Sequence, residues 1–449
     1  MTRLFGTDGV RGLANVDLTA PLALELGEAA ARLTIQGRPA SGHKPKAIIG
    51  RDTRISGEFL DHALAAGLAS AGMDVVRVGV VTTPTVAHLT ASSSVDLGVM
   101  ISASHNPMPD NGIKFFAHGG YKLPDQVEDQ IQELLNTPWD RPTGAAVGEV
   151  EYDDDWAEKS YIEHLMTSVG TDLHGLRIAV DCANGGASFL APEAFRQAGA
   201  DAVVINAAPD GRNINDKAGS THPEQLQALT VASEADFGVA YDGDADRCLA
   251  VDRHGNLVDG DKIMGALAVH MRDEGQLAKD TLVVTVMSNL GLILAMQKAG
   301  IKTIQTGVGD RYVLEAMLEG GYSLGGEQSG HIIAKKYATT GDGILSSLLL
   351  ARMVKESGRD LADLTGFIKR LPQTLINVGG VDRTRATTDP TVAEAVAAAE
   401  AVLGNTGRVL LRPSGTEPLV RVMVEAATQA QADGVASRLA DVVKENLAL

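Results

Sequence analysis

The 449-residue chain has few cysteines, few aromatic residues and no apolar stretch of membrane-spanning length. Two cysteines, Cys182 and Cys248, are too few for a disulfide framework and favour a reducing compartment, so we predict a cytoplasmic protein. The most apolar window, Leu282–Met296, is shorter than the roughly 20 residues that a membrane helix needs, and we interpret it as a strand followed by a helix. Because Met1–Val10 also lacks an apolar signal core, no membrane partner is expected.

The chain has fewer basic than acidic residues: it contains 39 Lys and Arg and 57 Asp and Glu, which gives a net charge of −18. Such a surface repels nucleic acid, so no nucleic-acid partner is expected. The chain lacks a Walker loop, and no G-x-G-x-x-G follows a predicted strand, so the usual signatures of ATP and NAD binding are missing. On a chain this acidic, a local group of arginines predicts an anion site.

The chain does contain a repeated order of short aliphatic runs and longer amphipathic stretches. Short runs with apolar residues on both faces, such as Asp74–Val80 and Phe237–Tyr241, suit parallel strands. Their alternation with helices predicts α/β domains. After Leu371 the pattern changes to short alternating strands with an Ala-rich helix near Val392–Leu403, which predicts a small α+β domain. The acidic stretch Glu149–Asp155 is interpreted as a linker.

The segment from Asp242 to Arg247, with sequence DGDADR, is the strongest local signal. In an extended or gently curled loop its alternate carboxylates can converge on one side, and carboxylate oxygens suit Mg²⁺. A calcium EF-hand would need Gly and Glu where this chain has Arg247 and Arg253. A solvated acidic turn is the alternative, but three carboxylates this close repel one another without a cation. We therefore predict a metal site formed by Asp242, Asp244 and Asp246.

A second polar loop, Ser102–Pro107, follows the aliphatic run Val99–Ile101. Ligands of open α/β sheets bind beyond the carboxyl ends of strands, which makes Ser104 a candidate site residue. No G-x-S-x-G elbow surrounds it, so an α/β-hydrolase nucleophile is disfavoured. The alternative is a turn in which Asn and Pro stop a strand. Lys114, just downstream, is either a nearby cation or a solvated strand residue.

Three further loops carry polar side chains beside glycines. Arg412–Pro418, followed by Arg421, combines two guanidiniums, two hydroxyls and a glycine, which suits a phosphate. Gly325–His331 offers Glu and Ser side chains that can hydrogen-bond sugar hydroxyls, although a hairpin bend is an equal alternative. Leu4–Gly12 is uninformative by itself.

The five loops resemble those of the α-D-phosphohexomutase superfamily, and they occur along the chain in the order of that superfamily and span almost the whole sequence. In chain order they are Gly6–Gly12, Ser104–Pro107, Asp242–Arg247, Gly326–His331 and Arg412–Pro418. Leu4–Gly12, Gly326–His331 and Thr339–Gly343 are most similar to the motifs of its bacterial phosphoglucosamine mutase subgroup. Ala245 departs from that subgroup, which often has glycine there, and we expect little effect because the residue lies between ligands. The resemblance implies three α/β domains with mixed, mostly parallel sheets and a small C-terminal α+β domain around a central cleft. The expected bounds are 1–153, 154–254, 255–371 and 372–449.

The resemblance also implies roles for single residues. Ser104 would be the phosphoserine and a metal ligand beside the three aspartates. The groups around the reacting phosphate would be Arg11, Lys114, Arg247 and His331. Glu327 and Ser329 would face sugar hydroxyls. The residues expected to hold the distal phosphate are Arg412, Ser414, Gly415, Thr416 and Arg421.

The implied reaction interconverts glucosamine 6-phosphate and glucosamine 1-phosphate, with Mg²⁺ and with glucosamine or glucose 1,6-bisphosphate as activator. It would feed UDP-N-acetylglucosamine and cell-wall precursor synthesis, and a homodimer is a further expectation. One alternative is a phosphoglucomutase or phosphomannomutase of the same superfamily. Another is a haloacid-type phosphotransferase that carries its phosphate on Asp242 or Asp244. A third is an ion-binding module without activity.

Overall fold

The computed structural model describes residues 3–6, 8–37, 44–414 and 419–449. They form two compact units, of which the first is Met1–Met287 with Ile301–Gly366 and the second is Ser288–Gly300 with Phe367–Leu449. Three mixed sheets lie in the first unit and a smaller antiparallel sheet lies in the second.

The first sheet has the strand order β1-β5-β4-β2-β3-β6. Its strands are β1 (Val10–Leu13), β2 (Lys46–Arg51), β3 (Asp74–Val80), β4 (Leu97–Ile101), β5 (Asp110–Ala117) and β6 (Val150–Tyr152). The helices around it are α1 (Ala20–Gly37), α2 (Ile55–Ser70), α3 (Thr83–Ser92) and α4 (Asp125–Leu134). β2, β3, β4 and β6 are parallel, whereas β5 runs antiparallel to β4 and to β1. All five residues of β4 are buried, as expected of a central strand.

The second sheet has the order β11-β10-β9-β7-β8. Its strands are β7 (Arg177–Asp181), β8 (Asp201–Ile205), β9 (Phe237–Tyr241), β10 (Cys248–Asp252) and β11 (Leu257–Val258). The accompanying helices are α5 (Asp154–Val169), α6 (Ala187–Gln197) and α7 (Glu224–Ala232). β7 is parallel to β8 and β9, and β10 turns back antiparallel to β9. The metal-site candidate lies in the connection between β9 and β10.

The third sheet has the order β13-β12-β14-β15. Its strands are β12 (Thr281–Thr285), β13 (Lys302–Thr306), β14 (Leu324–Gly326) and β15 (Ile332–Ala334). The helices in this part of the chain are α8 (Gly260–Asp273), α9 (Leu290–Lys298), α10 (Asp310–Gly320), α11 (Gly343–Ser357) and α12 (Leu361–Thr365). α9 belongs to the second compact unit.

The sheet of the second unit is antiparallel, with the order β16-β18-β17. Its strands are β16 (Gln373–Gly379), β17 (Arg408–Pro413) and β18 (Leu419–Glu425), and its helices are α13 (Pro390–Leu403) and α14 (Gln429–Leu447). A hydrophobic cluster of this sheet and these helices includes Val420, Val422 and Val424, which alternate along β18.

The predicted fold class of three α/β domains and a small C-terminal domain is confirmed by these sheets and by the family matches described below. The linker interpretation of Glu149–Asp155 is wrong, because β6 lies inside it and pairs with β3. α5 then begins directly, with its N-terminus capped by the Asp153 side chain.

The domain bounds stay predictions, although two features bear on them. The expected end at residue 254 falls in the turn of a hairpin, and β11 beyond it pairs with β10. In addition, Ser288–Gly300, expected in the third domain, groups with the C-terminal residues.

Candidate active site

Ser104 lies beyond the carboxyl end of β4 and touches the acidic loop that follows β9. Its hydroxyl donates a hydrogen bond to Asp242 Oδ2 at 2.6 Å, and both residues are buried. Both loops lie beyond the carboxyl ends of their strands, where open α/β sheets bind ligands. The two loops come from different sheets, so the contact forms only when those sheets are packed against each other.

The backbone at this contact is under conformational constraint. Ser104 has a φ of 53°, in the left-handed region that L-residues rarely adopt. Gly243 lies so near that a Cβ on it would stand 2.6 Å from the Ser104 carbonyl oxygen. Only glycine allows this approach, and a strained residue held at a junction of loops is typical of a functional site.

The three aspartates of the acidic loop form a compact cluster. Asp242, Asp244 and Asp246 each offer a carboxylate oxygen within 4.8 Å of the others, and all three residues are buried. Asp244 Oδ1 and Asp246 Oδ1 are enclosed without a hydrogen-bond partner. Burial, followed by the like charges of Asp246 and Asp244, raises the pKa of Asp242 to about 8. Enclosed, unpaired oxygens that repel one another fit a bound divalent cation.

Lys114 stands beside the cluster. Its ammonium lies 2.8 Å from Asp244 Oδ2 and 3.1 Å from Asp8 Oδ2, and the side chain is only 2% exposed. Burial opposes its charge, yet Asp244 and Asp8 raise the pKa of Lys114. Lys114 is thus a buried cation next to the serine loop, and the solvated-strand alternative is wrong.

Two arginines hold unused donors near the same loops. Arg11 pairs with Asp8, and Arg247 Nη1 lies 3.0 Å from His105 Nδ1. The Nε of each guanidinium is enclosed without a hydrogen-bond partner, and the Nε of Arg247 lies 3.8 Å from Asp246 Oδ1. Burial, followed by the charges of Arg247 and Arg11, lowers the pKa of His105 to about 4, so its ring is neutral and accepts the hydrogen bond from Arg247. Open N–H donors beside an acidic cluster can bind an anion that also contacts a metal.

His331 is buried between two carboxylates from different parts of the chain. Its Nδ1 is 3.6 Å from Asp246 Oδ2 and its Nε2 is 3.6 Å from Asp310 Oδ2. The backbone N–H of Gly341 donates to Nε2 at 3.0 Å, which favours the tautomer with its proton on Nδ1, facing Asp246.

The predicted sugar loop is the connection between β14 and β15. Glu327 Oε1 accepts a hydrogen bond from the Gly309 backbone N–H at 3.2 Å. The Ser329 hydroxyl and Gln328 Oε1 are enclosed without partners. The loop therefore presents polar groups whose hydrogen-bonding capacity is not used within the protein.

The predicted phosphate loop belongs to the second unit and is described by itself. Arg412 and Arg421 lie directly opposite each other on β17 and β18. Burial, followed by the charge of Arg421, lowers the pKa of Arg412. Ser414 is buried, and its backbone N–H donates to the Leu419 carbonyl at 2.9 Å. Like charges opposite each other on a ladder are unfavourable, and an anion bound between them would relieve the repulsion. Gly415 and Thr416 lie outside the described residues.

Sequence reasoning missed the groups that hold the serine loop. Arg54 is fully buried, and its Nη2 donates to the carbonyls of Ser104 and Asn106 at 3.1 and 2.8 Å. Asn215 Nδ2 donates to the Ser104 carbonyl at 2.8 Å. Asp52 accepts from the Arg54 Nε and from the Ser102 hydroxyl. The available signal was the position of Asp52 and Arg54 just beyond the carboxyl end of β2.

Asp8, Lys122 and Asp310 were missed as well. They form a chain of charges in which Lys122 contacts both carboxylates. No sequence pattern connects these three positions.

Family models for phosphoglucomutase/phosphomannomutase match nearly the whole chain. The α/β/α domains I, II and III match residues 2–140, 159–255 and 259–371, and the C-terminal domain matches residues 375–442. The chain belongs to the phosphoglucomutase/phosphomannomutase family.

Relatives in this family include the phosphoglucosamine mutase of Bifidobacterium animalis subsp. lactis, 60% identical over 454 residues, and that of Streptomyces coelicolor, 59% identical over 452 residues. In both pairs the match covers 100% of each chain.

Solved structures of the family have the same fold. A phosphoglucomutase/phosphomannomutase family protein from Burkholderia thailandensis matches with a TM-score of 0.81 at 26% identity, over 100% of this chain and 99% of its own. The N-acetylphosphoglucosamine mutase of Aspergillus fumigatus, in complex with GlcNAc-6P and magnesium, matches with a TM-score of 0.70 at 19% identity, over 98% and 95%. At that identity the second comparison supports the fold alone. Among the described residues, no helix is long and apolar enough to span a membrane.

Proposed function

We propose that this phosphoglucomutase/phosphomannomutase family member interconverts glucosamine 6-phosphate and glucosamine 1-phosphate through phosphorylated Ser104. Full-length relatives at about 60% identity are named phosphoglucosamine mutase, which supports this choice of sugar. The observation that carries the chemistry is the 2.6 Å contact of the Ser104 hydroxyl with Asp242, inside a cluster whose other carboxylates keep unpaired oxygens.

In the forward direction, phosphorylated Ser104 gives its phosphoryl group to the free C1 hydroxyl of glucosamine 6-phosphate. The bond between phosphorus and Ser104 Oγ breaks, a bond to the sugar oxygen forms, and the product is a sugar bisphosphate. The sugar hydroxyl loses its proton as the new bond forms, and Ser104 Oγ takes up a proton as it leaves, so the proton count is unchanged. In the second half-reaction the bond between the C6 oxygen and its phosphorus breaks and a bond from Ser104 Oγ to that phosphorus forms. The C6 oxygen takes up a proton as Ser104 loses its own, so glucosamine 1-phosphate is released and phosphorylated Ser104 is regenerated. Such a transfer depends on alignment and charge neutralisation more than on covalent chemistry.

Asp242, Asp244 and Asp246, together with Ser104, would hold Mg²⁺. When bound, the ion would neutralise charge on the phosphoryl group and stabilise the oxygen that leaves. Their unpaired oxygens support this assignment. Lys114 pairs with the Oδ2 of Asp244, which keeps Oδ1 available as a ligand atom.

The remaining residues would bind and orient the sugar phosphate. The enclosed Nε donors of Arg11 and Arg247 support a role in contacting the reacting phosphate. His331 would face the same group, held between its two carboxylates. Glu327 and Ser329 would bind sugar hydroxyls, because one oxygen of Glu327 is fixed by Gly309 and the Ser329 hydroxyl has no partner within the protein.

The non-reacting phosphate would be bound by the loop that follows β17. The paired arginines Arg412 and Arg421 and the hydroxyl of Ser414 support this, with Gly415 and Thr416 included from the family resemblance. Because the sugar carries phosphate at either end during the cycle, this loop must accept both the 6-phosphate and the 1-phosphate.

The test is a comparison of turnover for glucosamine, glucose and mannose 6-phosphates, with Mg²⁺ and catalytic amounts of the corresponding sugar 1,6-bisphosphate. We expect the highest kcat/KM for glucosamine 6-phosphate. A higher value for glucose or mannose 6-phosphate would reassign the enzyme to the phosphoglucomutase or phosphomannomutase activity. Mass spectrometry of the active enzyme locates the phosphate, and phosphate on Asp242 or Asp244 would support the aspartate-nucleophile alternative. Mg²⁺ binding without turnover of any of the three sugars would refute a mutase.

A further inference from the structure

A set of charges outside the acidic loop joins the segment before α4 to the start of α10. The Lys122 ammonium lies 2.5 Å from Asp8 Oδ1 and 2.6 Å from Asp310 Oδ2, and its side chain is 15% exposed. One ammonium therefore holds two carboxylates from positions that are more than 300 residues apart in the sequence.

Neighbouring contacts fix the same junction. Arg311 Nη2 donates to the Leu123 carbonyl at 2.8 Å, and Arg311 Nη1 pairs with Asp125. Thr339 Oγ1 donates to the Gly120 carbonyl at 2.6 Å. Arg311 thus attaches the first turn of α10 to residues 123–125. Thr339, in the loop after β15, holds the chain at Gly120 on the other side of Lys122.

This junction is directly linked to the predicted sugar loop. Gly309 immediately precedes Asp310, and its backbone N–H donates to Glu327 Oε1 at 3.2 Å. The φ of Gly309 is 132°, a conformation that side chains disfavour, so the direction of this N–H depends on the local backbone. We propose that Lys122 is a positioning residue for Glu327, acting through Asp310 and the Gly309 N–H. The proposal rests on the proposed function, in which Glu327 binds sugar hydroxyls.

The physical basis is the removal of charge compensation. Without the ammonium, Asp8 and Asp310 are two anions close together, and their repulsion moves the more weakly held one. Asp8 keeps Arg11 and Lys114 as partners. Within the described part of the chain, the ion-pair partner left to Asp310 is the more distant His331, at 3.6 Å. Asp310 is therefore the residue expected to move, and Gly309 moves with it.

A double-mutant cycle between Lys122 and Glu327 distinguishes an effect of Lys122 that acts through Glu327 from an unspecific disturbance of the active-site structure. Glu327→Gln alone should lower kcat/KM about tenfold, the effect of weakening one charge-assisted hydrogen bond. Lys122→Met alone should lower it by about 10- to 100-fold, the range that follows from a small misplacement of binding groups. If Lys122 acts through Glu327, adding Glu327→Gln to Lys122→Met should lower kcat/KM by less than about twofold more. Independent, multiplicative losses would overturn the proposal.

Two control variants sharpen the result. Lys122→Arg keeps a cation between the carboxylates and should restore most of the kcat/KM lost in Lys122→Met. Lys159 is an exposed lysine paired with Asp155, so Lys159→Met should leave the full effect of Glu327→Gln in place. Failure of Lys122→Arg to restore activity, together with a multiplicative cycle, would assign Lys122 a structural role only.

The cycle remains informative in two difficult cases. If Lys122→Met does not fold, as judged by its thermal unfolding, Asp310→Ala removes the contact between Lys122 and residue 310 and takes the place of Lys122→Met in the cycle. If wild type turns over glucose 6-phosphate but not glucosamine 6-phosphate, the proposed sugar is refuted, and the cycle is then measured with glucose 6-phosphate. Coupling in that case still supports the positioning role.

Discussion

Arg54 gives the most direct test of how the fold holds the serine loop, because all five N–H donors of its guanidinium have acceptors. Nε donates to Asp52, Nη1 to the carbonyls of Pro107 and Asp110, and Nη2 to those of Ser104 and Asn106. The side chain is fully buried. We predict that Arg54→Met destabilises the fold and also impairs catalysis.

The magnitude follows from the burial of its partner. Removing Arg54 leaves Asp52 as a buried, unpaired carboxylate, and breaking a buried pair costs about 3–5 kcal/mol. Ser104 also loses one of the donors to its carbonyl, and a left-handed residue costs about 1–2 kcal/mol to maintain. We therefore expect the loop to relax and kcat to fall by about 100-fold, the effect of misplacing a reacting group by about 1 Å. Arg54→Lys keeps the positive charge but has fewer hydrogen-bond donors, so its losses of stability and kcat should lie between those of wild type and Arg54→Met.

The destabilisation should depend on pH. Burial raises the pKa of Asp52, while the Arg54 charge and the Ser102 hydrogen bond act in the opposite direction. Without Arg54 the pKa of Asp52 rises further above its unfolded value. A raised folded-state pKa gives stability at low pH that is lost as the pH increases through it. The unfolding free energy lost in Arg54→Met should thus be greater at pH 8 than at pH 5.

Urea unfolding at the two pH values measures the stability, and single-turnover transfer from a sugar bisphosphate measures the phosphorylation of Ser104. Arg196→Met is the control, because Arg196 is exposed and pairs with Glu193 on the same helix; it should change neither measurement. Wild-type kcat in a destabilised Arg54→Met would refute the link between this network and catalysis. Unchanged stability would refute the assigned cost of the buried Asp52.

Three further changes test the site. Ser104→Ala should abolish phosphate incorporation and nearly all turnover, while the unfolding temperature stays at the wild-type value. If mass spectrometry finds the phosphate of the wild-type enzyme on Ser102, the assignment to Ser104 is wrong. Asp244→Asn should lower kcat by at least about 100-fold at saturating Mg²⁺ because an anionic ligand is lost, and EDTA should inactivate wild type; activity that survives EDTA would argue against a metal. Arg421→Ala should lower kcat/KM in the forward and reverse directions by similar factors, corresponding to about 2–5 kcal/mol for loss of a charged partner of a buried phosphate. A loss in one direction only would show that this loop does not bind the phosphate at both ends of the sugar.

Strands were the part of the fold that the sequence predicted best. Asp74–Val80, Phe237–Tyr241 and Leu419–Glu425 begin and end as predicted. The first two are largely apolar runs that suit buried parallel strands, and the third has the alternating pattern of a strand with one buried face. β6 was missed because Val150–Tyr152 is short, exposed and surrounded by acidic residues. Its strand character comes from pairing with β3, which no local pattern can indicate.

The candidate site was predictable where its residues stand together in a loop. The convergence of Asp242, Asp244 and Asp246 follows from their spacing and is present in the structure. Contacts between distant residues were not predictable in this way. Lys122 and Asp310 are 188 positions apart. Four of the five hydrogen bonds from the Arg54 guanidinium go to backbone carbonyls, so its signal in the sequence is limited to its position just beyond the carboxyl end of β2. The catalytic and binding roles themselves remain predictions.

The acidic loop brings its three carboxylates together as expected, but the backbone conformation that does so was not fully anticipated from their spacing. Its carboxylates converge through a turn rather than an extended segment, with the Ala245 N–H donating to the Asp242 carbonyl at 3.1 Å. Ala245 has a φ of 54°, which accounts for the glycine often found there in similar sequences. A glycine at this position would relieve about 1–2 kcal/mol of backbone strain. It would also destabilise the fold by about 0.4–1 kcal/mol, because the unfolded chain would gain conformational entropy. It would also lose the burial of a methyl group, worth about 0.8 kcal/mol. Because these terms nearly cancel, alanine can hold the left-handed turn at little net cost, and the three carboxylates keep their positions.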